Sequence, residues 1–309
     1  MIIVFGSLNA DLFFAVDRLP TLGETVLTPA VTLQPGGKGA NQAAAAALAG
    51  AETRFVGCVG DDALGAPVLA ALAAAGCDVS GVSRVPGATG TAAVMVEASG
   101  ANQIVVASGA NGAVRAERLS EGDLRAGTTL VCQMEIPTAE TVKVLARAKR
   151  AGVRTVLNLA PAQPVPRELL DDVDVLVVNE GEAEVLAGRQ AAPAATARQL
   201  AARHDLTCFV TLGGAGAVAM TAEGSGWRIG VLPVPVVDTV GAGDAFVGML
   251  AAALDRGADL PTALHRASVA AGLACTRAGA MAAMASADEI EGRLSELPAA
   301  AELGHGEGE

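Results

Sequence analysis

The chain has 309 residues, enough for one large α/β domain with a sizeable core, and its formal charge of −12 argues against nonspecific nucleic-acid binding, which needs clustered Lys and Arg. Apolar residues make up 51% and aromatics only 2%, so the core must be packed from Ala, Val and Leu, a composition that suits helices laid on a parallel sheet. No apolar stretch reaches the roughly 18 residues of a membrane span, and "MIIVFGSLNAD" has no basic segment ahead of its apolar run, so the expectation is a cytoplasmic protein that avoids membranes.

Short apolar runs ending in Gly, Asn or Asp alternate with Ala-rich stretches, the pattern of repeated βα units. In chain order we expect a strand at 2–5, a helix at 41–49, a strand at 55–59, a helix at 64–75, a strand at 130–133 and a helix at 138–151. Strands at 155–158 and 173–179, a helix at 194–204, a strand at 208–212 and helices at 242–256, 261–275 and 286–297 complete the series. Two stretches break the rhythm. One is 12–34; the other is the pair "TAAVMVE" and "NQIVVAS" within 90–108, which reads as a hairpin turning at Ser99, Gly100 and Ala101. Uncharged strands inserted between βα units make either a lid over a site or a subunit contact. The division is therefore one domain over 1–298 with these two insertions, followed by a frayed Gly- and Glu-rich tail over 299–309.

Cys58, Cys77, Cys132, Cys208 and Cys275 contain no C-x-x-C pair, which points to a reducing compartment. His204, His265 and His305 show no metal-ligand spacing, so a zinc site or a Ser-His-Asp triad is not expected. In an open parallel sheet, ligands bind outside the carboxyl ends of the strands. Polar residues collect at those ends here: Asn9 and Asp11, Glu135, Asn158, Asn179 and Thr211. Each alone also reads as a helix cap or turn residue.

"PGGKGANQA" (35–43) places Gly36, Gly37 and Gly39 before an Ala-rich helix opened by Asn41 and Gln42, and it matches neither a Walker A loop nor G-x-G-x-x-G. "DTVGAGDAF" (238–246) reads as a strand end, a glycine turn and a helix N-terminus. Free N–H groups at Gly241, Ala242 and Gly243 would face the charge that develops on a transferring phosphoryl group. Asp244, in the first helical turn, would take the proton of an attacking hydroxyl.

These motifs, together with "GSLNAD", "PTLGET", "QMEIP", "NLAPA", "NEGEAE", "TLGGAG" and "CTRAGA", resemble the ribokinase/PfkB carbohydrate kinase family over essentially the whole chain. The resemblance implies a three-layer α/β fold with a mostly parallel central sheet and a small inserted β-sheet lid. It implies ATP- and Mg²⁺-dependent phosphorylation of the primary hydroxyl of D-ribose. Alternatives are phosphorylation of deoxyribose, a nucleoside or a keto sugar on the same fold, and a non-catalytic sugar-binding regulator.

By the same resemblance Asp244 is the base, with the amides of Ala242, Gly243 and Asp244 after Gly241 as the anion hole. Asn9, Asp11, Gly37, Lys38, Asn41 and Glu135 are assigned to the sugar. Asn179 and Glu182 organise Mg²⁺ and the phosphates, while Thr211, Gly213 and Gly216 form the nucleotide loop. K⁺ is assigned to the Asp238 carboxylate and the carbonyls of Val240, Ala274 and Gly279. Two positions depart from the pattern: Ser268 stands where relatives often carry His or Asn beside adenine, and Ala283 supplies no hydroxyl to the cation. The family also implies a homodimer formed through the lid sheet.

Overall fold

The βα rhythm is realised in the structure, a computed structural model that describes residues 1–97, 102–188 and 190–304. In chain order the elements are β1 (Ile2–Phe5), β2 (Asn9–Val16), β3 (Val31–Gly36), α1 (Lys38–Leu48), β4 (Thr53–Gly60), α2 (Gly65–Ala74), β5 (Asp78–Val85), β6 (Gly90–Glu97) and β7 (Asn102–Ala107). There follow β8 (Thr129–Cys132), α3 (Thr138–Arg150), β9 (Arg154–Asn158), α4 (Arg167–Asp171), β10 (Val175–Asn179), α5 (Glu180–Ala187), α6 (Pro193–His204), β11 (Thr207–Thr211), β12 (Ala217–Met220) and β13 (Gly226–Ile229). The chain closes with α7 (Ala242–Asp255), α8 (Leu260–Ala274), α9 (Ala287–Arg293) and β14 (Ala301–Glu302).

Among the described residues the main sheet has ten strands in the order β14-β13-β12-β11-β10-β9-β8-β1-β4-β5. It runs parallel from β5 to β11, and β12, β13 and β14 extend it antiparallel. Strand β1 sits inside the parallel part and its four residues are all fully buried. Ile2 and Val4 join the core under α1, α7 and α8, whereas Ile3 and Phe5 join the core under α3 and α6. That alternation produces three layers, because successive strand residues point to opposite faces and both faces carry helices.

The inserted stretches form a separate four-stranded sheet, β3-β2-β6-β7, in which β2 lies antiparallel to β3 and parallel to β6, and β6 and β7 make the expected hairpin. Its turn at Ser99, Gly100 and Ala101 falls outside the described residues. Asn9, opposite Gly36 on one side and Gly90 on the other, anchors the buried end of this sheet to the main body.

Sequence periodicity does not reveal β5, β12, β13, α4 or α5. Strand β5 is an edge strand carrying Gly81 and four polar residues, and β12 and β13 are four residues each, too short to show a period. Helix α5 follows β10 without a loop. Ala301 and Glu302, placed by the sequence in a frayed tail, pair with Arg228 and Trp227 at the sheet edge; residues 305–309 lie outside the described residues. Among the described residues no helix is long and apolar enough to cross a membrane.

Candidate active site

The turn before α7 is built by glycine geometry. Gly241 caps the helix in the left-handed region at φ 79°, where a side chain would be strained, and a Cβ there would lie 2.9 Å from Cα of Ala280. The N–H groups of Gly243 and Asp244 therefore precede the helical ladder at the positive end of the helix macrodipole. The Ala242 N–H turns back to the Thr239 carbonyl at 3.3 Å.

Asp244 is 7% exposed and both its oxygens accept from helix α1: Oδ2 from Asn41 Nδ2 and Oδ1 from Gln42 Nε2, each at 2.9 Å. Contact between the two helices makes this possible. A Cβ on Gly248, one turn beyond Asp244, would lie 2.5 Å from the Gln42 carbonyl oxygen and from Ala45 Cβ, so glycine lets α1 and α7 meet at backbone distance.

The residues assigned to the sugar converge from β2, the start of α1 and the loop after β8. Glu135 Oε2 accepts from Ser7 Oγ at 2.6 Å and from the Lys38 backbone N–H at 2.9 Å. Asn9 Oδ1 accepts from Asn111 Nδ2 at 2.7 Å, and Asn111 Oδ1 in turn accepts from the Leu8 N–H at 3.0 Å. Burial, reinforced by the charges of Glu135 and Asp244, raises the Asp11 carboxyl to about 7. Its Oδ1 is buried without a hydrogen-bond partner, as is Oδ1 of Asn41. Orphaned buried acceptors are costly, and both suit a ligand that donates hydroxyl groups. The charge of Asp244, and after it those of Glu135 and Glu182, holds the Lys38 ammonium above its ordinary value despite burial.

Two cavities meet at the N-terminus of α7. The larger, about 460 Å³, is walled mainly by glycine and apolar residues, including Gly213, Gly216, Val231, Leu232, Phe246 and Ala271, with the buried Ser268 among them. The smaller, about 240 Å³, is polar and lined by Lys38, Asn158, Asn179, Glu182, Gly241 and Asp244. Asn179, Thr211, Thr239 and Gly243 belong to both walls. An elongated ligand with an apolar ring at one end and anionic groups at the other would lie across them.

Asn179 and Glu182 form a capping box: Asn179 Oδ1 accepts from the Glu182 N–H and Glu182 Oε2 accepts from the Asn179 N–H, each at 2.8 Å. The cap explains why a helix starts at the end of β10, and it leaves Glu182 Oε1 outside the box. Burial raises the Glu182 carboxyl above its ordinary range, opposed by the Asn179 N–H and Lys38. Among the described residues no group of three His, Cys, Asp or Glu side chains stands ready to hold a metal.

Asp238 bridges two segments, its Oδ1 accepting from the Val240 N–H at 3.0 Å and its Oδ2 from the Gly279 N–H at 2.9 Å. The neighbouring Ala274 and Ala283 are fully buried in an apolar cluster with Ala45, Ala245 and Met284.

Sequence patterns missed Ser7, Asn111, Gln133 and Thr239, placed Asn158 among the strand-end candidates and gave Gln42 only the opening of α1. Gln133 carried a usable signal, an amide closing the apolar run of β8. Asn111 sits in a short turn and carries none.

A profile of the pfkB family carbohydrate kinases matches residues 1–287. The chain is 36% identical over 293 residues to a ribokinase of Haemophilus influenzae, spanning 93% of this chain and 95% of the relative. It is 36% identical over 301 residues to a ribokinase of Bacillus subtilis, spanning 95% and 99%. The structure of Arabidopsis thaliana ribokinase complexed with ribose and ATP superposes with a TM-score of 0.86 at 34% identity, covering 95% of this chain and 98% of that one. A Thermotoga maritima ribokinase structure gives 0.88 at 30% identity, with 95% and 99% covered.

Proposed function

This chain belongs to the pfkB family of carbohydrate kinases, and on that premise we propose that it transfers the γ-phosphoryl group of ATP to the primary hydroxyl of D-ribose, giving D-ribose 5-phosphate and ADP. The observation that carries this reading is the position of Asp244. It is buried on the wall of the polar cavity, at a helix N-terminus, between the apolar cavity and the hydroxyl-seeking acceptors of Asp11 and Asn41.

The reaction follows from that position. Asp244 accepts the hydroxyl proton as the sugar oxygen bonds to the γ-phosphorus and the bond to the β-γ bridging oxygen breaks. The N–H groups of Gly243 and Asp244, with Lys38, receive the charge on the phosphoryl oxygens. Closing the site against water favours the sugar hydroxyl over hydrolysis of ATP. Asp11, Glu135, Asn9 and Asn41 bind the sugar ring, Gly37 opens α1 beside it, and Thr211, Gly213, Gly216 and Ser268 hold the nucleotide.

Glu182, whose second oxygen lies outside the capping box, and Asn179 would hold Mg²⁺ partly through water and the phosphates. Mg²⁺ neutralises phosphate charge when bound. K⁺ would be held by Asp238, whose carboxylate already joins the Val240 and Gly279 segments, with the carbonyls of Val240, Ala274 and Gly279. The Ala283 methyl, packed in an apolar cluster, leaves that set one hydroxyl short and the affinity correspondingly weaker.

Register places Leu33, Leu12, Ala93 and Val105 in one row across the outer face of the lid sheet, opposite to the face that carries Asp11. Leu33 and Val105 are 40% and 66% exposed, which supports a homodimer through this face. Cys58, Cys77, Cys132 and Cys208 are unpaired and buried, in keeping with a reducing, cytoplasmic setting.

The test is ADP release by the purified protein with Mg²⁺ and K⁺ against ribose, deoxyribose, fructose and adenosine. Ribose should give the highest kcat/KM. A higher value for any other acceptor, or no sugar-dependent ADP release, would overturn the proposal.

A further inference from the structure

Gln42 is fully buried and every polar atom of its side chain is committed. Its Nε2 donates to Asp244 Oδ1 at 2.9 Å and to Asn158 Oδ1 at 3.0 Å, and its Oε1 accepts from Gln133 Nε2 at 2.7 Å. The direction of this chain of amides is set by a group that cannot be reversed. The Val177 backbone carbonyl can only accept, so the Asn158 amide turns its Nδ2 there, at 3.0 Å, and its oxygen toward Gln42. Gln42 must therefore present NH₂ to Asn158 and Asp244, and its oxygen to Gln133. Flipping Gln42 would set carbonyl against carboxylate on one side and NH₂ against NH₂ on the other.

We propose that Gln42 is a positioning residue of the phosphoryl transfer: oriented by Asn158 and Gln133, it pins Oδ1 of Asp244 as an acceptor, so that Oδ2, held by the sugar-side Asn41, is the oxygen that takes the hydroxyl proton. The inference rests on the reading of Asp244 as the base. The two carboxylate oxygens have different partners for this reason. Oδ1 is tied to a helix and two strands by an amide with no exposure, whereas the Asn41 partner of Oδ2 keeps its own carbonyl oxygen unpaired for a ligand. A carboxylate pinned at one oxygen keeps its plane and lone pairs aimed through each turnover.

Two variants separate positioning from packing. Gln42→Met keeps the volume and removes the donor; Gln42→Glu keeps the shape and replaces the donor by a second carboxylate against Asp244. Both should lower kcat, Gln42→Met by about tenfold to hundredfold, the scale of a reacting group misplaced by about 1 Å. Gln42→Glu should be the slower of the two. KM for ribose and the Kd for ADP by calorimetry should stay within about twofold. A kcat for Gln42→Glu near that of the unaltered protein, or losses in kcat matched by equal losses in ADP affinity, would overturn the proposal. If neither variant melts cooperatively, Gln133→Met decides: it frees the Gln42 amide from a distance and should lower kcat several-fold, and an unchanged kcat sinks the relay. Failure of the ribose reading would appear in the unaltered protein, and the variants would then be assayed on whichever sugar it turns over; failure of the relay would appear only in the variants.

Discussion

Asp244 is a buried carboxylate and Asp11 a half-buried one, and their surroundings give them different work. Asp244 accepts hydrogen bonds from two amides, and its charge acts on the nearby Lys38 ammonium. Asp244→Asn keeps the shape and removes proton acceptance, so kcat should fall by at least the roughly 10² to 10⁴ of a lost general base, while ADP affinity changes little. Stopped-flow or coupled kinetics with parallel calorimetry check both, and a near-normal kcat would reduce Asp244 to a helix-end residue. Asp11 is raised to about 7 by burial and by the charges of Glu135 and Asp244. The sign follows from a folded value above the unfolded one. The protonated form is the one that folding favours, so the contribution of Asp11 to stability is full below about 4 and is lost as pH rises to about 7. Asp11→Asn should therefore raise the Tm of the sugar-free protein more at pH 8 than at pH 5. The same change should weaken ribose use by about tenfold to hundredfold, the effect of about 1–3 kcal/mol for a lost buried partner. Thermal melts at the two pH values and ribose KM measure the two halves, and a pH-independent Tm difference would refute the first.

At the level of elements, the pairing of α1 with α7 brings Asn41 and Gln42 to Asp244, the proposed base. Ala43, Ala44, Ala45 and Ala46 on one helix and Gly248 on the other allow backbone contact, and Asn41 and Gln42 reach Asp244 only because of it. Gly248→Ala is a favourable change by helix propensity. Here its methyl would meet the Gln42 carbonyl oxygen at 2.5 Å, and a backbone atom cannot swing aside as a side-chain end would. Overpacking of this kind costs roughly 1–3 kcal/mol. Both Tm and kcat should drop, kcat because both hydrogen bonds to Asp244 start on α1. Unchanged values in a melt and a kinetic assay would show that the helices have slack.

For the molecule as a whole, the two faces of the small four-stranded sheet meet different surroundings. One face carries Asp11 toward the site; the other exposes Leu33 and Val105 in a single cross-strand row, and Val31 lies two residues along. Apolar rows of this kind on a sheet are rarely left to water. Sedimentation velocity should find a dimer, and the double change Leu33→Asp with Val105→Asp should shift it to monomer without unfolding it. A dimer that persists in the double variant would place the subunit contact elsewhere. Because the same sheet carries Asn9 and Asp11, which are proposed to bind the sugar, dissociation should also raise the ribose KM.

Local pattern was enough for the parallel βα core, the glycine turn ahead of Asp244 and the family itself, because periodicity, helix starts and contiguous motifs are written within a few residues of one another. Strands β12 and β13 and the edge strand β5 were not legible, since four residues, or a strand half open to water, impose no clear period. Asn179 was legible as a possible helix cap, and the structure realises that reading as a capping box with Glu182, placed by where β10 ends. Only the tertiary structure brought Gln42 to Asp244, across 202 positions, and to Gln133 across 91. The order of strands in the sheet and the approach of α1 to α7 set those separations. Burial then decided the rest: desolvation and the charges of Glu135 and Asp244 raise the Asp11 carboxyl to about 7, and the polar partners around the fully buried Gln42 leave its amide one orientation.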